Sequence, residues 1–148
     1  MKSIKTDIII EAAVSTVWQV LMDKESYPDW NPFIHHIEGE MKVGETLTNT
    51  LMQANGKSIQ FTPTVLAAEE NKEFRWLGHL WMKGIFDGEH YFLLESLSAT
   101  QTRLIHGENF TGILAGILMK MIGEDTKKGF VAMNEALKSR AEKQFQKA

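Results

Sequence analysis

From Phe130 onward the chain places apolar side chains at Phe130, Met133, Leu137, Ala141 and Phe145, intervals of three and four that line one face of a helix. Lys127, Lys128, Glu135, Lys138, Glu142 and Lys143 fall mainly on the other face. A helix of some twenty residues is about 30 Å long, and its stripe needs an equally broad partner. Nearly everything upstream reads as strand, so the expected partner is one large sheet wrapped around this helix.

The strands follow from alternation and turn chemistry. Ile4, Thr6, Ile8 and Ile10 alternate with Lys5, Asp7 and Glu11, the pattern of a strand with one buried face. Ser15 then reads as the N-cap of a short helix bearing Val17, Trp18, Leu21 and Met22. Pro28 and Pro32 leave room only for a helical turn or loop before an extended segment from Ile34 to Glu40. Asn55-Gly56 is a two-residue hairpin signal between strands at 46–54 and 57–67, and it sets Met52 opposite Ile59 and Thr50 opposite Phe61. Pro63 lacks a donor and marks an edge or a bulge.

A second hairpin runs over 73–81 and 85–95 and turns at Met82-Lys83-Gly84. With Trp81 opposite Ile85, Leu80 pairs with Phe86, Gly78 with Gly88, Trp76 with His90 and Phe74 with Phe92. One face is then aromatic, while Arg75, His79, Asp87, Glu89 and Tyr91 form a solvated convex face. Thr102 to Phe110 makes the last strand, with Leu104, His106, Glu108 and Phe110 on one side. Antiparallel strands with helices segregated to one face make an α+β fold.

The 148 residues are expected to form one domain over 1–148. A composition of 43% hydrophobic and 24% charged residues is that of an ordinary soluble globular protein. The net charge of -3 offers no general attraction for nucleic acid. With no cysteine there are no disulfides, thiolate metal sites or cysteine nucleophiles. Neither a signal-like apolar core near Met1–Asp7 nor an apolar run of about 18 residues occurs, so no stable membrane insertion and a cytoplasmic location are expected. The expected assembly is a monomer or weak homodimer.

The stretches V-W-Q-V-L-M-D at Val17–Asp23, Y-P-D-W-N-P-F at Tyr27–Phe33, F-D-G-E-H at Phe86–His90 and T-R-L-I-H-G-E-N-F-T-G at Thr102–Gly112 resemble the polyketide cyclase/dehydrase-like branch of the START-related (SRPBCC) superfamily. The resemblance covers nearly the whole chain. It implies a helix-grip fold, in which a curved seven-stranded antiparallel sheet closes on a long C-terminal helix around an apolar cavity. It also implies a range of roles, from ligand binders and lipid-transfer domains to aromatase/cyclases and a co-chaperone activator domain, so it specifies fold more narrowly than function.

The sharpest chemical candidates are His90, His106 and Glu108, which the pairings place on the concave face among aromatic side chains. Ionisable groups are costly there without partners. They either satisfy one another across adjacent strands, anchor a mostly apolar ligand, or, as His90 and Glu108, act as an acid-base pair. The same trio has the composition of a two-histidine, one-carboxylate iron site, but the resemblance does not support a metal, and no cofactor is expected. His35-His36 with Glu38 and Glu40 is split between faces by strand geometry. Gly56-Lys57-Ser58 lacks the first glycine of a phosphate loop, and no G-x-S-x-G element is present.

The expected ligand-binding set is Trp30, Phe61, Phe74, Trp76, Phe86, His90, Phe92, His106, Glu108, Phe110, Phe130, Met133 and Leu137, between sheet and helix. The Gly112–Met119 segment is apolar around most of its circumference, as a membrane-touching segment is, but is expected to form a lid or the helix's buried first turns, with Gly116 and Gly123 favouring a kinked or mobile end and the Trp30–Phe33 loop completing an entrance. The leading expectation is non-enzymatic binding or transport of a small hydrophobic molecule, lipid-like or polycyclic aromatic. A cyclase or dehydratase and a protein-interaction module are the alternatives. The last requires an apolar patch on a convex face that the alternation makes polar.

Overall fold

The computed structural model describes residues 2–53, 55–80 and 82–148, with Leu80 described by its backbone alone. Eight strands occur among them: β1 (Lys2–Ile10), β2 (Ile34–Glu38), β3 (Thr48–Met52), β4 (Ser58–Phe61), β5 (Thr64–Glu69), β6 (Glu73–Leu80), β7 (Phe86–Ser98) and β8 (Gln101–Thr111). Helices α1 (Val14–Met22) and α2 (Tyr27–Trp30) follow β1, and α3 (Ala115–Lys147) closes the chain. One antiparallel sheet has the order β1-β8-β7-β6-β5 and the other β2-β3-β4.

Eight strands in place of the expected seven trace to Pro63, which divides the anticipated 57–67 strand into β4 and β5. The division leaves the two sheets stitched together. The carbonyl of Pro63 accepts the N–H of Leu47 at 2.8 Å, Val65 donates to the carbonyl of Glu45 at 2.9 Å, and Thr46 bridges Thr64. The strand after α2 is also shorter than expected, ending at Glu38.

Leu51 lies opposite Ile59 and Met52 opposite Ser58, one residue from the register expected for the β3–β4 hairpin. The closing pair is Gln53 and Lys57, joined by the Gln53 N–H on the carbonyl of Lys57 at 2.9 Å. Gly56 at φ 82° completes a longer, bulged loop instead of the two-residue turn. Ala54, within the anticipated first strand, lies outside the described residues. A one-residue slip exchanges the faces of a strand, so Leu51 and Ile59, not Met52 and Ile59, face each other.

The β6–β7 register agrees with expectation from Phe74↔Phe92 through Trp76↔His90 and Gly78↔Gly88 to Leu80↔Phe86. The Trp81–Ile85 pair lies outside the described residues. On the convex face Arg75 bonds Glu73 at 2.6 Å and Glu89 at 2.7 Å and lies 4.8 Å over the Tyr91 ring.

Helix α1 begins at Val14 with Ala13 as its cap, two residues before the start that a Ser15 cap implies. Ala12 is fully buried and its carbonyl accepts the Thr102 hydroxyl at 2.8 Å, which pins the chain where the helix begins. Asn31 ends the following turn by accepting the N–H groups of Phe33 and Ile34 at 3.0 and 2.9 Å.

Helix α3 spans 33 residues, about 50 Å, and includes both Gly116 and Gly123. Its stripe of Phe130, Met133, Leu137 and Ala141 is fully buried against β1, β8 and α1. Removing a large apolar side chain of this kind from water contributes about 1.5–3 kcal/mol. The first turns differ. Ile113 and Ile117 are exposed, whereas Ala115 is buried and Met119 packs against the core, so Gly112–Met119 is buried along one side alone. Among the described residues no helix is long and apolar enough to cross a membrane.

Candidate functional site

The β6, β7 and β8 strands present alternate side chains to α3, and past the packed stripe sheet and helix separate. The space between them is a cavity of about 650 Å³. Its inner wall is Trp76 and Gly78 of β6, Phe86, Gly88 and His90 of β7, and Glu108 and Phe110 of β8. Phe33, Leu51, Ile59 and Phe61 line it with Gln53 and Asn55 of the β3–β4 hairpin, and α3 contributes Ile122, Asp125, Thr126, Lys128 and Gly129. Phe86 and Phe110 stack at 5.4 Å between ring centroids and 9° between planes.

Of the residues expected to bind ligand, Phe61, Trp76, Phe86, His90, Glu108 and Phe110 line this space. Phe74, Phe92, His106, Phe130, Met133 and Leu137 are not part of its lining and lie packed in the interior, each 1% exposed or less. Trp30 lies outside the wall too, its ring edge-on to Tyr27 at 5.2 Å. The α3 contribution comes from 122–129, about one to three turns beyond the Gly112–Met119 segment expected at the entrance, while Pro32 and Phe33 of the proline-rich loop do reach it.

A chain of hydrogen bonds leads inward from the wall. Glu108 Oε1 lies 3.1 Å from His90 Nδ1, His90 Nε2 lies 2.7 Å from His106 Nε2, and His106 Nδ1 lies 2.8 Å from Asn134 Oδ1. Asn134 Nδ2 donates to Thr6 Oγ1 at 2.8 Å, and the Thr6 hydroxyl donates to the carbonyl of His106 at 2.7 Å.

These bonds determine the tautomers. The Thr6 proton is spent on a carbonyl, so Thr6 accepts from the Asn134 amide, and the Asn134 oxygen must accept from His106 Nδ1–H. Burial, then the neighbouring His90, hold His106 well below its ordinary pKa of 6.5 against the pull of Asn134, so it is neutral and Nε2 is bare. His90 therefore donates through Nε2–H. Its Nδ1 shares a single proton with Glu108, either as imidazolium beside carboxylate or as imidazole beside carboxylic acid.

Asn134 and Thr6 were not among the sequence candidates, yet both carried a signal. Asn134 is a polar residue on the buried stripe, four after Phe130 and three before Leu137, and Thr6 interrupts the isoleucines of β1. Elsewhere His36 bonds Glu38 at 3.1 Å on the surface, and no group of three or more His, Asp or Glu suited to a metal occurs among the described residues. The two histidine Nε2 atoms of the inner trio face each other, not a common centre.

Residues 1–142 match the family described as polyketide cyclase / dehydrase and lipid transport. No curated protein matches the sequence. Among solved structures, the Zhui aromatase/cyclase from Streptomyces sp. R1128 superposes with a TM-score of 0.78 at 19% identity, over 97% of this chain and 94% of that one. A START superfamily protein from Mycobacterium smegmatis gives 0.72 at 20% identity, over 96% and 98%. A Thermus thermophilus protein gives 0.73 at 16% identity, over 95% and 97%. At these identities the likeness establishes the helix-grip architecture alone.

Proposed function

Since the chain belongs to the polyketide cyclase / dehydrase and lipid transport family, we propose that it binds or carries a small hydrophobic molecule between sheet and C-terminal helix. The observation that supports this is the cavity of about 650 Å³ walled by Trp76, Phe86, Phe110, Phe33 and Phe61. That volume lies within the roughly 300–1,000 Å³ of small-molecule sites, and a wall mostly apolar with few polar groups is their usual composition. The ligand class is lipid-like or polycyclic aromatic. Native mass spectrometry of protein purified from its own host, with displacement of a neutral dye by lipids and flavonoid-like compounds, tests the reading. A co-purifying hydrophobic mass or dose-dependent displacement is expected; neither appearing overturns it.

A second reading, an enzyme of the cyclase or dehydratase kind, is favoured by the His90–Glu108 contact of 3.1 Å at the cavity wall. Such chemistry needs a base within about 3 Å of the proton it removes, directly or through one water. A solved structure of similar fold is named an aromatase/cyclase, which supports weighing that reaction class here. Once a turned-over substrate is found, unchanged turnover in His90→Gln and Glu108→Gln rules out the pair as its acid and base.

A further inference from the structure

We propose that the cavity holds its ligand by one hydrogen-bond donor, a hydroxyl or N–H on an otherwise apolar and uncharged molecule, delivered to Oε2 of Glu108, and that it discriminates against carboxylates. The proposal rests on the ligand-binding reading above and adds the chemistry of the anchor.

Glu108 presents two oxygens with different duties. Oε1 is committed to His90 Nδ1, whereas Oε2 has no hydrogen-bond partner among the described residues. Gly88, diagonal to Glu108 on the neighbouring strand β7, leaves the room this oxygen occupies, for a Cβ there would overlap Oε2. The other ionisable side chains of the lining, His79, Asp125 and Lys128, are at exposed positions, while Glu108 is 17% and His90 4% exposed. An inward-facing polar group of the ligand therefore meets Oε2.

The inner chain of bonds decides what Oε2 can do. Because Asn134 and Thr6 orient His106, and His106 in turn takes the Nε2 proton of His90, the one remaining proton lies between His90 Nδ1 and Glu108 Oε1. If it sits on His90, Oε2 is a carboxylate oxygen. If it sits on Oε1, Oε2 is the carbonyl oxygen of the acid. In both arrangements Oε2 accepts and has no proton to give. A ligand hydroxyl completes it, an ether oxygen finds no donor, and a carboxylate is desolvated against a second acceptor.

Fluorescence titration of the full chain with hydroxypyrene, methoxypyrene and pyrene carboxylate tests this, since the three share a flat apolar body and differ at one group. Hydroxypyrene is expected to bind about 10- to 100-fold more tightly than methoxypyrene, the span of a hydrogen bond to a charged acceptor, and pyrene carboxylate more weakly still. In Glu108→Met the hydroxyl preference is expected to vanish while methoxypyrene keeps its affinity, and that retained affinity reports a folded cavity. Gly88→Ala, which pushes the carboxylate aside, is expected to reduce the preference. Equal binding of all three by the unmodified chain, tightest binding of the carboxylate, or a preference that survives Glu108→Met overturns the proposal and leaves the cavity reading standing. Binding of none of the three overturns both.

Discussion

His106 has each polar atom engaged inside the protein, and its engagement has a cost that depends on pH. Burial, and after it His90, depress its pKa below 6.5. The unfolded chain therefore binds a proton that the folded chain refuses. Stability tied to this residue is fully present above about pH 6.5 and is lost as pH falls from there toward the depressed value, with a slope of up to about 1.4 kcal/mol per pH unit for one proton. Urea unfolding between pH 7.5 and 5 should show this slope, and His106→Gln should make it shallower; an unchanged slope in the variant excludes His106 as its source. Asn134→Ala strands the His106 Nδ1–H and should cost about 1–3 kcal/mol by the same assay, a buried donor left unpaired. A loss below about 0.5 kcal/mol excludes the orienting role. His90, His106 and Glu108 were legible because strand alternation assigns a face from sequence spacing alone. Their partners were not, because Asn134 lies 28 residues from His106 and Thr6 lies 100, and nothing local specifies contacts at that separation.

Helix α3 contains two glycines whose replacement should have opposite consequences. Gly123 is in the helix interior, and a Cβ there meets only the tip of Met119 at 3.4 Å. Gly123→Ala should stabilise by about 0.5–1 kcal/mol through helix propensity and a less flexible unfolded chain. Gly129 lies against Phe33, whose ring carbon would be 2.5 Å from a Cβ, and that ring packs edge-on to Phe130 at 5.4 Å. Gly129→Ala must displace the Phe33 ring, so the propensity gain is offset. Thermal unfolding should rank Gly123→Ala above the parent chain and Gly129→Ala at or below it; equal stabilisation by both rules out the close approach. At this scale the sequence was informative where residues of strong preference repeat. The stripe of α3 and the pairing of β6 with β7 were legible. The β3–β4 register was not, because Asn-Gly serves a two-residue turn and a bulged loop alike, and the choice moves every partner by one.

Across the whole molecule, one sheet surface does two jobs: near the C-terminal half of α3 it is filled core, and near Ile122–Gly129 it borders a void. The family resemblance implied a cavity, but its position depends on where sheet and helix diverge, which no periodicity encodes. Phe92 and Phe86 stand on the same strand and the same face, six residues apart, and fall on opposite sides of that divide. Phe92 is 1% exposed and touches Trp76 and His106. Phe92→Ala should therefore cost about 3–5 kcal/mol, the range for deleting a buried ring. Phe86 borders empty space and stacks only one face on Phe110. Phe86→Ala should cost less than half as much, yet weaken any ligand that reaches the wall by about tenfold, since a ring contact is worth roughly 0.5–1.5 kcal/mol beyond its buried area. Denaturation midpoints and dye affinity measured on both variants separate the two roles. Should Phe86→Ala prove as destabilising as Phe92→Ala while affinity stays unchanged, the wall assigned to Phe86 is core, and the ligand space must lie elsewhere.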